Sequence, residues 1–251
     1  MSAGELDGRV AIVTGSARNI GRAIALDLAR AGAAVVVNAH TSAKEAQATA
    51  DAIASEGGRA VVQLADVTRT EGAETLAAAA LMHFGRLDCL VNNAAVRRET
   101  PFAEMSFEDW REVTAIILDG AFLMAKAALP ALRNSGAGSI INIGGMSAHT
   151  GAANRAHVVT AKAGLVGLTR ALAHDLAPDR VTVNCVVPGM IDTRRGGSSP
   201  AAPAHHAQHM PPIGRRGTPE EIAALVRFLA GPQARYITGQ AIHANGGVFM
   251  P

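Results

Sequence analysis

The chain has 251 residues, 49% apolar and 18% charged, with a formal net charge of +2 and eight aromatic side chains. That length supports a full hydrophobic core, the apolar fraction excludes disorder, and 26 glycines with two cysteines exclude collagen-like and disulfide-stapled classes. The near-neutral balance gives no footprint for nucleic acid, although 20 of the 23 basic residues are arginine, and no run of eighteen apolar residues predicts a membrane span.

Short β-rich runs alternate with alanine-rich helical stretches. Residues 9–14 (RVAIVT) read as a strand and 20–31 as a helix closed by Gly32. Residues 34–38 (AVVVN) form a second strand, and Ser42 begins a helix ending at the Gly57-Gly58 pair. A third strand at 60–64 precedes a helix over 70–84, and a fourth strand covers 87–92. A loop then leads to a helix opening at Ser106, with Asp109 three residues on as in a capping box. A fifth strand spans 139–143, a long helix 157–176 and a sixth strand 181–187. Thr218-Pro219-Glu220-Glu221 supplies an N-cap, a proline at N1 and a glutamate at N3, so another helix starts there, and 241–244 make the last strand.

The strands are continuous apolar runs rather than alternating ones, the pattern of a parallel sheet covered on both faces. Repeated βα units with right-handed crossovers predict one Rossmann-type α/β domain over 1–251, a doubly wound parallel sheet with helices on both faces. Residues 196–212, rich in Gly, Ser, Pro, Ala and His, lack either periodicity and read as part of a lid at about 194–217. The opening MSAGELDGR has no apolar secretion core, and Cys89 and Cys185 lie in apolar runs, so a cytoplasmic protein with reduced, buried thiols is expected.

The turn TGSARNIG, residues 14–21, joins the first strand to the first helix. Glycine is needed where backbone turns sharply and approaches a pyrophosphate, and the helix N-terminus then offers oriented N–H groups. Gly15, Ser16, Arg18, Asn19, Ile20 and Gly21 are the candidates there. Asp66-Val67, Asn92-Asn93-Ala94-Ala95 and Pro188-Gly189 all fall at carboxyl ends of strands, where doubly wound sheets bind ligands. Each alone is an ordinary turn; together they describe one crevice.

These pieces, TGSARNIG, ADVT, NNAA, Lys162 in TAKAGL, VNCVVPGMIDT and the ending ITGQAIHANGG, resemble the short-chain dehydrogenase/reductase family over essentially the whole length. Within it the sequence is most similar to the 3-oxoacyl-carrier-protein-reductase-like branch. The resemblance implies a nicotinamide dinucleotide, a small-molecule carbonyl or alcohol substrate, and commonly a homotetramer or homodimer. It implies that Asp66 and Val67 flank the adenine and that Asn93, Ala94 and Ala95 line the cofactor cleft. Pro188, Gly189, Ile191 and Thr193 would stand toward the nicotinamide, and Lys162 would hold the ribose.

An acid at the end of the second strand would accept from a ribose 2′-OH and repel a 2′-phosphate. Ala39 stands at that place, followed by His40, Thr41 and Ser42, and Arg18 lies in the glycine-rich turn. An arginine with hydroxyl donors suits a phosphate, so NADP(H) is expected over NAD(H). Asn19 replaces the family's middle glycine; asparagine adopts unusual backbone angles more readily than most residues, so the turn is expected to survive.

The chemical end departs from the family pattern of Tyr as acid/base, Lys four residues on, Ser and Asn. Lys162 matches, but Val158, Gly145 and Ile117 stand at the Tyr, Ser and Asn positions, and the only tyrosine is the distant Tyr236. His157 lies roughly 140° around the helix from Lys162 and shares no face with it. Ser147, two positions past the family serine, and His149 in the following loop are partial substitutes. His205 of the lid is a candidate acid. His205 and His209, with His206 between them, have i, i+4 spacing, but no third ligand accompanies them and no metal is expected. Arg97-Arg98 and Arg194-Arg195 are either solvated loop charges or forked donors for an anionic substrate. Three readings remain: an NADP(H)-dependent oxidoreductase that takes its acid from elsewhere or from water, a nonredox lyase or isomerase, and a catalytically silent NADP-binding protein. A general acid contributes about 10²–10⁴-fold, so reduction of an activated acceptor survives its loss, which favours the first.

Overall fold

The runs of Val, Ala and Ile between turns are buried from end to end in β1 (Val10–Val13) and β2 (Ala34–Ala39). β3 (Arg59–Leu64) is only partly covered, whereas β4 (Cys89–Asn92), β5 (Ser139–Ile143) and β6 (Thr182–Pro188) are again buried throughout, and β7 (Ala241–Ala244) is partly covered. The burial follows position: the order is β3-β2-β1-β4-β5-β6-β7, every pair parallel, so the two half-covered strands are the edges. The computed structural model describes residues 4–193 and 210–251. Most of the expected lid, with Arg194, Arg195, His205, His206 and His209, lies outside the described residues.

Successive residues of β1 point to opposite faces and feed two cores. Ala11 and Val13 pack with α1 (Asn19–Arg30) and α2 (Ala43–Ser55), while Val10 and Ile12 pack under α3 (Thr70–Phe84). Ser106 caps α4 (Phe107–Thr114) through the expected box, its hydroxyl accepting from the Asp109 amide at 3.0 Å. A π-helical turn, Ala115–Asp119, carries the chain into α5 (Gly120–Asn134). Phe107–Asn134 is thus one 28-residue helix, long and apolar enough to cross a membrane, yet Met124, Ala128 and Leu132 are buried in the core beside α3 and β4. The π turn was not foreseen, because one extra residue in a turn leaves no mark on a 3.6-residue pattern.

After β5 comes α6 (Ser147–Thr150), a single helical turn where a loop was expected, and then α7 (Ala156–Leu176). α8 (Pro219–Ala230) starts on the expected box, Thr218 Oγ1 accepting from the Glu221 amide at 3.3 Å, and packs on α1. α7 is held in register by a buried polar chain. Asn92 Nδ2 donates to Asn142 Oδ1 at 2.9 Å, Asn142 Nδ2 to Thr169 Oγ1 at 2.9 Å, and Thr169 Oγ1 to Leu165 O at 2.7 Å. These bonds replace water at buried amides and fix where the other face of α7 stands against β5.

Candidate active site

The strand order reverses between β1 and β4, and their carboxyl ends open the crevice in which such sheets bind ligands. Gly15 turns at φ +60° and Asn19 at φ +51°, so the asparagine occupies the left-handed region that its short amide tolerates. Gly21 has no alternative: a Cβ there would lie 2.4 Å from Gly15 O and 2.5 Å from Asn93 Nδ2. Arg18 is the residue just before α1, exposed and without an ion pair among the described residues. Ile20 packs partly into the core and anchors this end of the helix.

Two of the expected ligand residues also brace the fold with their side chains. Ser16 is fully buried; its hydroxyl donates to Val13 O at 2.7 Å and accepts from the Asn38 amide at 3.0 Å, so it ties β1 to β2 instead of facing the crevice. Asn93 Nδ2 donates to Thr14 O and Gly15 O at 2.9 and 3.0 Å, turning its amide into the glycine turn. Thr14 and Asn38 are contributors that the sequence reading missed. Thr14 Oγ1 accepts from the amides of Asn93 and Ala94 at 2.9 and 3.0 Å. Buried Asn38 accepts from the Gly15 amide at 3.1 Å and donates to three carbonyls at the ends of β2 and β3. A threonine before the first glycine and a polar residue inside an apolar strand were the available signals.

At the end of β2, Ala39 is buried and His40 is the first exposed side chain, with Thr41 exposed after it. His40 Nε2 stands 3.8 Å from Asp66 Oδ2. Asp66 Oδ1 accepts from the amide and hydroxyl of Thr68, and these bonds hold its carboxyl below the usual range against the opposing effect of desolvation. Val67 is buried beside Gly120, and with Thr14, Ala94 and Ile117 it lines a small internal cavity of about 10 Å³. Ala95 is exposed at the mouth.

Lys162 is buried, and its Nζ donates to Ile143 O at 2.5 Å. Burial pushes its ammonium down to about 8, with the Cys185 thiol opposing and Arg97 and Arg155 adding to the shift. One turn earlier on the same face is Val158, buried in an apolar cluster that also holds Ile117, Val113, Ala121 and Leu165. Val158 and Ile117, expected at the Tyr and Asn positions, therefore pack together as hydrocarbon. Gly145 faces the same lysine: a Cβ there would meet only Lys162 Cγ, at 3.9 Å. Ser147 opens α6, and its hydroxyl makes no hydrogen bond among the described residues. His157 is fully buried, its Nδ1 accepting from the Val158 amide at 2.9 Å, and burial holds its pKa down. It belongs to the interior. His149 instead rests edge-on against His243, ring centres 4.5 Å apart, on the β7 side.

The arginine pair after β4 divides. Arg98 is bound to Asp109 Oδ1 at 2.7 Å and Glu112 Oε2 at 2.7 Å, so its charge is spent within the fold. Arg97 Nη1 donates to Thr193 Oγ1 at 3.0 Å, joining the segments that follow β4 and β6. Pro188 O accepts from the Met146 amide, and Gly189 allows Asn245 to approach where a Cβ would meet its Cα at 2.6 Å. Ile191 bridges to Gly217 and lines a cleft of about 240 Å³ with Arg215, Glu221 and His243.

A seven-stranded parallel sheet with a glycine turn where its strand order reverses defines a Rossmann-like, doubly wound α/β class. Comparison with known proteins narrows the class. The family model described as Enoyl-(Acyl carrier protein) reductase matches residues 15–249. The 3-oxoacyl-acyl-carrier-protein reductase of Synechocystis sp. is 40% identical over 246 residues, covering 98% of each chain, and that of Vibrio cholerae is 40% identical over 98% of this chain and 99% of its own. Among solved structures, a short-chain dehydrogenase/reductase from Serratia marcescens superposes with TM-score 0.90 at 38% identity, covering 97% of this chain and 99% of that one. A dehydrogenase/reductase from Sinorhizobium meliloti gives 0.91 at 38% identity over 98% and 96%. The chain belongs to the short-chain dehydrogenase/reductase family of oxidoreductases, on its 3-oxoacyl-carrier-protein-reductase-like branch.

Proposed function

We propose that the protein is an NADP(H)-dependent oxidoreductase of a small carbonyl or alcohol compound whose chemical end has been rebuilt. The observation that carries the choice of cofactor is the pairing of an exposed, unpaired Arg18 at the start of α1 with a β2 end that carries no acid. The residues fit a dinucleotide: Gly15 and Gly21 leave backbone bare at the turn, and the first amides of α1 are free to donate to a pyrophosphate. Arg18 with Thr41 would hold a 2′-phosphate, Asp66 and Val67 would flank the adenine, and Ala94 and Ala95 would border the cleft. Lys162 would hold the ribose, with Pro188, Gly189, Ile191 and Thr193 beyond it.

When bound, the nicotinamide supplies a hydride to a carbonyl carbon or takes one from an alcohol carbon. The chain must handle the matching proton. Val158 and Ile117 carry no proton and exclude water from their side of the cleft, while Gly145 leaves room beside Lys162. The reduced oxygen therefore takes its proton from solvent or from the Lys162 ammonium, whose pKa of about 8 keeps it charged yet labile near neutrality. His205 of the lid is a further candidate acid. A cytoplasmic homotetramer or homodimer accords with this reading.

Equilibrium titration of the purified protein with NADPH and then NADH, following nicotinamide fluorescence, tests it. Micromolar binding of NADPH with much weaker binding of NADH is expected. Absence of binding by either would remove the oxidoreductase reading in favour of a cofactor-free protein.

A further inference from the structure

Arg155 is the last residue before α7, at the start of the helix that carries Val158 and Lys162. Its backbone carbonyl accepts from the Val159 amide at 2.8 Å, fixing it at the helix start. Its side chain is partly buried, and Nε is shut off from solvent with no hydrogen-bond partner. Other part-buried arginines are satisfied: Arg98 by Asp109 and Glu112, Arg227 by Asp27 and Glu5, and Arg235 by backbone carbonyls. The Arg155 side chain has no ion pair or hydrogen bond among the described residues. Glu99 is the one carboxylate whose charge reaches it, from beyond ion-pair distance, and burial still depresses the guanidinium.

A guanidinium N–H that is shut off from solvent without an acceptor is costly, and a fold retains one where a ligand completes it. The surroundings show what kind of ligand. Thr100 N donates to Asn154 O at 2.8 Å, clamping the segment after β4, which carries Arg97, against the residue preceding Arg155. Arg97 and Arg155 are both close enough to Lys162 to disfavour its charge. The segment that carries Arg97 and the start of α7 thus meet beside the helix whose Val158 stands at the place of the expected phenol, with Gly145 against Lys162.

We propose that Arg155, with Lys162 and Arg97 behind it, binds the anionic group of the substrate, which is a small carbonyl compound carrying its own carboxylate or phosphate near the reacting carbon. This deepens the oxidoreductase reading and rests on it for the reaction, though not for the binding. The planar fork of Arg155 grips two oxygens of the anion, and the carbonyl is thereby oriented without a tyrosine.

The test is calorimetric titration of the whole protein, with and without NADP⁺, which cannot reduce the ligands. The probes are acetoacetate against methyl acetoacetate, and dihydroxyacetone phosphate against dihydroxyacetone. One anion of the two pairs is expected to bind at least about tenfold more tightly than its neutral partner, the preferred pair identifying carboxylate or phosphate. Arg155→Gln should weaken that anion by about 30-fold or more and leave the neutral partner unchanged, while Arg155→Lys recovers part of the loss. A thermal midpoint for each variant close to the parent's establishes that it is folded. Equal binding within both pairs, or an anion affinity untouched by Arg155→Gln, overturns the proposal. Oxidation of NADPH in the presence of the same four probes separates the two readings. Discrimination without turnover keeps the anion site and removes the oxidoreductase, and turnover without discrimination does the reverse.

Discussion

Val158, Ile117 and Gly145, the residues proposed to stand at the family's Tyr, Asn and Ser positions, differ in their surroundings. Val158 and Ile117 fill one apolar cluster, so a tyrosine at 158 has to displace hydrocarbon, whereas Gly145 faces open space with only Lys162 Cγ at 3.9 Å. Val158→Tyr alone should therefore destabilise the protein by about 1–3 kcal/mol in denaturant unfolding, and Gly145→Ser should be nearly neutral. Combining both with Ile117→Asn should raise NADPH-dependent carbonyl reduction by about 10²–10⁴-fold, the worth of a general acid. No change in rate from a folded triple variant would instead favour a pocket remodelled for other chemistry.

Lys162 gives a second prediction at this scale. Its pKa is about 8 in the fold and near 10.4 unfolded, so between those values the unfolded chain binds the extra proton and stability rises with pH. Relative to Lys162→Met, the parent should gain about 3 kcal/mol from pH 8 to 10.5. Cys185, Arg97 and Arg155 are common to both proteins, and only the Cys185 thiol, pushed up to about 11, titrates near that window. A flat difference between parent and variant would show that Lys162 is not desolvated.

α7 carries Arg155, Val158 and Lys162, and its placement depends on contacts on its other side. The chain Asn92–Asn142–Thr169–Leu165 O joins β4 and β5 to it. Thr169→Val keeps the shape but leaves Asn142 Nδ2 without its acceptor, so a loss of about 1–3 kcal/mol is expected in equilibrium unfolding. At α8 the capping box is exposed and local, and Thr218→Ala should cost about 1 kcal/mol by the same measurement. The two helices show why their beginnings were unequally legible. Thr218-Pro219-Glu220-Glu221 states its own start within four residues, and so does Ser106 with Asp109. The π turn at Ala115–Asp119 and the single turn of α6 carry no such local signal, since packing against neighbouring elements selects them.

For the whole molecule, ligand binding and folding are linked. NADPH at about 100 times its dissociation constant should add about 2.7 kcal/mol and raise the thermal midpoint by roughly 5–10 °C, with NADH at equal concentration giving a smaller shift. A protein whose midpoint ignores both nucleotides does not use the crevice for them.

The succession of strands and helices, the parallel sheet and the glycine turn were all legible along the chain. Continuous apolar runs, glycine stops and helix caps act over a few residues, and crossover handedness leaves few ways to assemble them. That valine stands four residues before Lys162 is legible too, because it is a matter of identity at a spacing. Tertiary structure alone decided what each polar group meets. Ser16 and Asn93 turn inward as braces because β2 and β4 bring acceptors and donors beside them. Arg98 is neutralised because α4 presents Asp109 and Glu112, while Arg155, which nothing in the sequence singles out, is left with a buried Nε that has no partner among the described residues. Whether a charge is satisfied depends on partners brought together from distant parts of the chain, and periodicity carries no information about them.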